Sequence, residues 1–79
     1  MVNIYPNPNN GAFTVLFNQG NNFNKLEIFN QMGQSVYRID LDDSKNSVKI
    51  SGSNQWEPGV YFLKLEGNSE PVSKRVVIF

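Results

Sequence analysis

Three aspartates crowd one short stretch of the chain, Asp40, Asp42 and Asp43, and acids at this spacing are what calcium loops are built from. The match stops there. A calcium loop begun at Asp40 would need glycine where Lys45 stands and glutamate where Ser51 stands, and Lys45 adds a repelling charge. The stretch reads as a solvated polar loop. Ser51-Gly52-Ser53 lacks the flanking glycines of a serine nucleophile elbow. The 79 residues include no histidine and no cysteine. The usual neutral-pH base, the thiolate nucleophile, the common zinc ligands and any disulfide are therefore missing. Neither an enzyme nor a cofactor or metal site is expected.

A binding surface is the stronger candidate. Phe23, Phe29, Tyr37, Trp56 and Phe62 are a large set of rings for one small core. An exposed strip of them would stack on sugar rings or anchor a protein; the competing reading has them capping the core. Seven basic and seven acidic residues cancel, and Lys25, Lys49, Lys64, Lys74 and Arg75 are scattered among acids, so neither nucleic acid nor an anionic membrane is an expected partner. The longest apolar run, Val76 to Phe79, is far short of the roughly 18 residues of a membrane span. The opening Met1-Val2-Asn3-Ile4-Tyr5-Pro6 has no signal-peptide features. If the domain is exported, the expectation is a piece from the C-terminal end of a longer chain, with Met1 an expression start.

The elements that would position such residues are strands. With 39% apolar residues the chain supports one core, and those residues are mostly Val, Ile, Phe and Tyr, with a single alanine at Ala12. No stretch keeps helical apolar spacing over three turns. Seven extended segments are expected: Val2 to Tyr5, Ala12 to Asn18, Lys25 to Phe29, Gln34 to Asp40, Val48 to Ile50, Gly59 to Glu66 and Val72 to Phe79. Between them lie a rigid turn at Pro6 to Gly11, turns at Gln19 to Asn22 and Gly67 to Pro71, and a hairpin loop at Asn30 to Gly33. A polar loop at Asp42 to Asn46 and an irregular connection at Ser51 to Pro58 complete the set. The inward face of the fourth segment stays open between Val36 and the pair Tyr37 and Ile39. Seven short strands about ten residues apart imply an all-β fold, a seven-stranded antiparallel β-sandwich with immunoglobulin-like layering. A small barrel of the oligonucleotide-binding type is the alternative. The expected core is Phe13, Val15, Leu26, Ile28, Val48, Ile50, Tyr61, Leu63, Leu65 and Val76, in one domain spanning residues 1–79.

Four motifs in order carry a family resemblance over the whole chain. Tyr5-Pro6-Asn7-Pro8-Asn9-Asn10-Gly11-Ala12-Phe13-Thr14-Val15 resembles the Pro-x-Pro-x-x-Gly start of the type A C-terminal sorting domains, which belong to cargo of the type IX secretion system of Bacteroidetes. Leu26 to Val36, with Gly33, resembles the central hairpin of that family. Trp56-Glu57-Pro58-Gly59-Val60-Tyr61-Phe62-Leu63 is similar to its Gly-x-Tyr strand, and Ser73-Lys74-Arg75-Val76-Val77-Ile78-Phe79 to its basic-then-apolar last strand. Many relatives end in a basic residue, whereas this chain ends at Phe79.

The resemblance implies a non-catalytic address label at the end of an exported enzyme or adhesin. Such a domain is met in the periplasm and guides its upstream cargo through an outer-membrane translocon. A sortase-like cysteine protease then removes it, and the cargo is anchored or released. Signal residues under this reading are Pro6, Pro8, Gly11, Gly33, Gly59, Tyr61, Lys74, Arg75, Val76, Val77, Ile78 and Phe79. Pro6, Pro8 and Gly11 would preform a rigid surface. Tyr61 would pack inward with its hydroxyl on a backbone partner, and the last strand would offer an edge for β-augmentation. The alternative function is a carbohydrate- or protein-binding sandwich module using the aromatics around Trp56. The polar-loop reading has a direct check: a chelator should leave the melting temperature unchanged within about 1 °C, and a fall of several degrees would reassign Asp40 to Asp43 as a calcium site.

Overall fold

The computed structural model describes residues 2–17, 23–42, 46–51, 56–67 and 70–79. Strands are β1 (Val2–Tyr5), β2 (Ala12–Phe17), β3 (Phe23–Phe29), β4 (Ser35–Asp40), β5 (Ser47–Ser51), β6 (Gly59–Gly67) and β7 (Val72–Ile78). They form two antiparallel sheets, ordered β1-β2-β5 and β4-β3-β6-β7. This is the immunoglobulin-like sandwich, with the fourth strand placed beside the third rather than on the other sheet. Two separate open sheets leave no place for the barrel alternative. The turn expected at Gln19 to Asn22 lies outside the described residues, as do residues 43–45, 52–55 and 68–69 of the loop, connection and turn expected at Asp42 to Asn46, Ser51 to Pro58 and Gly67 to Pro71.

Alternation decides which side chains meet. On β3 Leu26 and Ile28 are buried, opposite Leu65 and Leu63 of β6 on one side and Ile39 and Tyr37 of β4 on the other. The inner face of β4 is thus Tyr37 and Ile39. A register shift between Ile28 and Phe29 breaks the alternation, and Val36 also packs on the core. Nine of the ten expected core residues are buried. Val48 is the correction: it is only half-buried, because β5 is an edge strand and has less sheet above it. Val2, Phe17, Phe23, Leu41, Trp56 and Ile78 join the core. β3 starts two residues earlier than the alternation suggests, since Phe23 pairs with Gly67 and packs edge-on against Phe17 at 6.0 Å.

Trp56 is the hub between the sheets. Its ring lies 6.3 Å from Phe13 of β2, 5.9 Å from Tyr37 of β4 and 5.6 Å from Tyr61 of β6, stacked on the last. It is 9% exposed. Tyr61 in turn donates its hydroxyl to the Glu57 carbonyl at 2.6 Å, four residues upstream. This is the tyrosine corner of immunoglobulin-type sandwiches, pinning Glu57 to the start of β6.

The outer face of the larger sheet is charged in alternating order. Asp40, Lys25 and Glu66 form one cross-strand row, and Arg38, Glu27 and Lys64 the next. Lys25 and Lys64 reach Glu66 at 3.0 and 3.6 Å. The hydrogen bond from Lys25 holds the Glu66 carboxyl below its ordinary value of 4.5, so this pairing favours the fold above that value and is lost as pH falls through the lowered one. Its exposure keeps the effect small and salt-sensitive.

The corner bond and the ring are separable by mutation. Tyr61→Phe should cost about 1 kcal/mol in urea unfolding, the worth of one hydrogen bond, and Tyr61→Ala about 3 kcal/mol, as other large aromatic truncations do. A Phe variant as stable as the parent would show that water satisfies the Glu57 carbonyl instead.

Candidate recognition surface: the end of the sandwich where the motifs meet

In these antiparallel sheets every odd-numbered strand runs toward the same end. The 6–11 segment, the Asn30 to Gln34 turn, the Trp56 to Pro58 stretch and the end of β7 therefore gather there. Those are the connections carried by all four sequence motifs. Topology alone brings together segments up to 70 residues apart.

The 6–11 segment leaves β1 and crosses to the other sheet as a strap along the outer edge of β7. Asn9 donates its backbone N–H to the Val77 carbonyl at 2.9 Å and accepts the Phe79 N–H at 2.8 Å, a parallel bridge centred on Ile78. Asn7 makes the same two-bond pattern one rung earlier with its side chain: Nδ2 donates to the Arg75 carbonyl and Oδ1 accepts the Val77 N–H, each at 3.0 Å. Its carboxamide stands in for a peptide group between two prolines that cannot donate. The Asn9 side chain, 2% exposed, closes the strap on itself. It donates to the Pro6 carbonyl at 3.0 Å and accepts the Gly11 N–H at 2.8 Å. Gly11 needs its φ of +104°, a conformation that residues with a Cβ rarely adopt.

This corrects one expectation. The edge of β7 from Arg75 to Phe79 is already paired, so it is not an open template for strand addition. Lys74 guards the remainder. It stands opposite the buried Leu63 and takes the inward parity of Val72, Val76 and Ile78, yet it stays exposed. An inward-pointing charge on an edge strand is a device against edge-to-edge pairing.

The expected signal residues divide by burial. Tyr61, Val76 and Ile78 are core residues, and Gly11 is buried at the end of the strap. Pro6, Pro8, Gly33, Lys74 and Arg75 are exposed, Phe79 is 71% exposed, and Gly59 and Val77 are half-buried. Gly33 holds φ +84° with nothing within 4 Å of a built Cβ, so its requirement is backbone conformation and not space. Asn30 shapes that turn. Its Oδ1 accepts the N–H groups of Met32 and Gln34 at 2.9 and 3.0 Å, and its Nδ2 donates to Gln34 Oε1 at 2.9 Å. Asn7, Asn9 and Asn30 are the organising residues that reading the motifs missed. The sequence signal was present in the asparagines at turn positions, but not whom they bond.

For most of the aromatic set the core-capping reading holds over the exposed strip. Trp56 and Phe23 are buried, Phe29 and Tyr37 half-buried, and Phe62 is 44% exposed on the outer sheet face. Trp56 and Phe23 pack in the core with Tyr37 against it, and Phe62 alone of the five is exposed, so they form no continuous stacking strip. Of the three acids, Asp40 is exposed on β4 opposite Lys25, Asp42 is exposed, and Asp43 lies outside the described residues. Among the described residues no helix is long and apolar enough to cross a membrane.

The seam can be read amide by amide. Asn7→Ala should speed hydrogen exchange at the Val77 N–H at least about tenfold, while the Phe79 N–H, held by the Asn9 backbone, keeps its protection. Equal acceleration at both amides would mean that the strap opens as one unit.

A search of curated proteins finds no match to this chain. The profile of the family described as secretion system C-terminal sorting domain matches residues 3–79, essentially the whole chain. The chain belongs to the C-terminal sorting domains of the type IX secretion system.

Proposed function

We propose that this domain acts without chemistry of its own, as an address read through the side chains at the motif end of the sandwich. The family supports a sorting signal that sends a protein across the outer membrane to the surface or the outside, with a cargo upstream and the secretion machinery as partner. The finer reading is that an outer-membrane translocon binds this end after the cargo reaches the periplasm. A sortase-like cysteine protease then cuts upstream of the domain, and the cargo is anchored or released.

One observation carries the mode of reading: the sealed edge of β7. With the Arg75 carbonyl, both polar groups of Val77 and the Phe79 N–H already paired, a receptor gains little from main-chain addition there. It is left with what projects: the prolines of the strap, Lys74, Arg75 and Phe79. A surface preformed by paired strands binds with little ordering cost.

The test is a fluorescent reporter bearing a periplasmic export signal and fused ahead of this domain, in a bacterium with a type IX system. The intact fusion should reach the surface or the medium. Lys74→Ala with Arg75→Ala and Phe79→Ala removes three projecting side chains, leaves the backbone pairing in place, and should shift stability by less than about 1 kcal/mol. A folded triple variant held in the periplasm supports side-chain reading. If the intact fusion stays periplasmic while the system exports its own cargo, the proposal fails.

A further inference from the structure

Between the Asn30 to Gly33 turn and the Trp56 to Tyr61 stretch lies a groove of about 340 Å³ that the strap and tail do not form. Sites for small organic ligands start at about 300 Å³, so there is room for one long side chain and a short length of its backbone. Met32, Val36 and Val60 give it apolar walls, with the exposed remainder of Trp56 between them. Met32 is 81% exposed, an adaptable thioether with no packing to hold it in the free protein. One lining residue is ionisable at neutral pH: Glu57, which is exposed. Two ion pairs among the described residues go to Glu66, and among those residues Glu57 is paired with no cation. The Gln31 carboxamide also faces the groove, its Nε2 3.9 Å from where a Cβ on Gly59 would be. The Asn30 side chain, by contrast, is committed to its own turn.

From these groups we infer that the groove binds a basic side chain, lysine or arginine, presented by an extended segment of a partner protein. The methylene stem lies along Met32, Val36 and Val60, as such stems do when they cover apolar surface and keep the charge wet. The cationic head meets the Glu57 carboxylate at the rim, and the Gln31 amide takes a carbonyl of the partner backbone. Acidic side chains are repelled by Glu57. An uncharged apolar chain fills the walls but leaves the carboxylate without a cation. A sugar finds no open ring face, because Trp56 is stacked on Tyr61 and flanked by Phe13 and Tyr37. Gly59 lines this groove opposite Gln31, and Gly33 acts one step back by closing the turn that carries Asn30, Gln31 and Met32 to it. The inference adds partner chemistry to the sorting proposal and rests on it only for the partner's identity, since the groove itself can be tested on the isolated protein.

Trp56 is the single tryptophan and lines the groove, so its emission reports binding. The probes are blocked pentapeptides with Lys, norleucine or Glu at the centre, and methyl glucoside. The Lys peptide should give a saturable change below about 10 mM, the range of a one-anchor contact. The norleucine peptide should bind about fivefold more weakly, and the Glu peptide and the sugar not at all. Glu57→Gln keeps the backbone carbonyl that holds Tyr61, so the fold is retained. It should bring the Lys peptide down to the norleucine affinity. Equal binding of Lys and norleucine, saturable binding of the sugar, no change with any probe, or an unaltered Lys affinity in Glu57→Gln each overturns the inference. The export assay separates the two proposals: Glu57→Gln that loses the peptide yet exports normally removes the groove from sorting and leaves the sorting role standing.

Discussion

The pairing of Asn7 and Asn9 with the last strand is the constraint around which the rest is arranged. It joins the two sheets at their margin, places the first motif against the fourth, and closes the outer edge of β7 to strand addition. It joins residues up to 70 apart in sequence, so forming it directly from an unfolded chain carries a large loop-closure cost. Four hydrogen bonds hold it. Two come from a backbone that prolines leave poor in donors, and two from a side chain recruited to replace them.

The interior works on a different principle. Trp56 sits in a stretch with no regular periodicity, yet it touches strands of both sheets and stacks on the tyrosine whose hydroxyl anchors that same stretch. The Trp56 to Pro58 stretch is thereby tied to β6 by a stacked ring and a hydrogen bond. The groove beside it inherits a floor, Trp56 and Tyr61, that is held from behind, while Met32 on its rim stays free to adapt.

Much of the fold was legible along the chain. Strict alternation in Phe13, Val15 and Phe17, and again in Tyr61, Leu63 and Leu65, identifies both strand and buried face, and the seven strands follow from the turn residues between them. Depth of burial was less legible. Alternation places Val48 on the inner face but does not say that its strand lies at a sheet margin. The same limit applies to Lys74, whose inward parity appears only once Leu63 is known to be its neighbour. The candidate site was legible as motifs but not as contacts. Asn7 and Asn9 look like ordinary turn residues, because nothing local in a sequence says that a carboxamide will pair with a strand 70 residues away. Whether Trp56 caps the core or joins an exposed strip stays open along the sequence for a similar reason: its burial is set by the gap between two sheets, and a gap has no sequence period.

The direction of the strap has a mechanical meaning. It runs parallel to β7, so tension drawn backward on the segment before the strap and forward on Phe79 slides the two past each other. The four bonds of the seam then carry the load together, whereas an antiparallel hairpin pulled open from its end gives way one bond at a time. A domain dragged by its N-terminal side resists as a clasp does, holding until it yields all at once. The side chain of Asn7 supplies half of that grip.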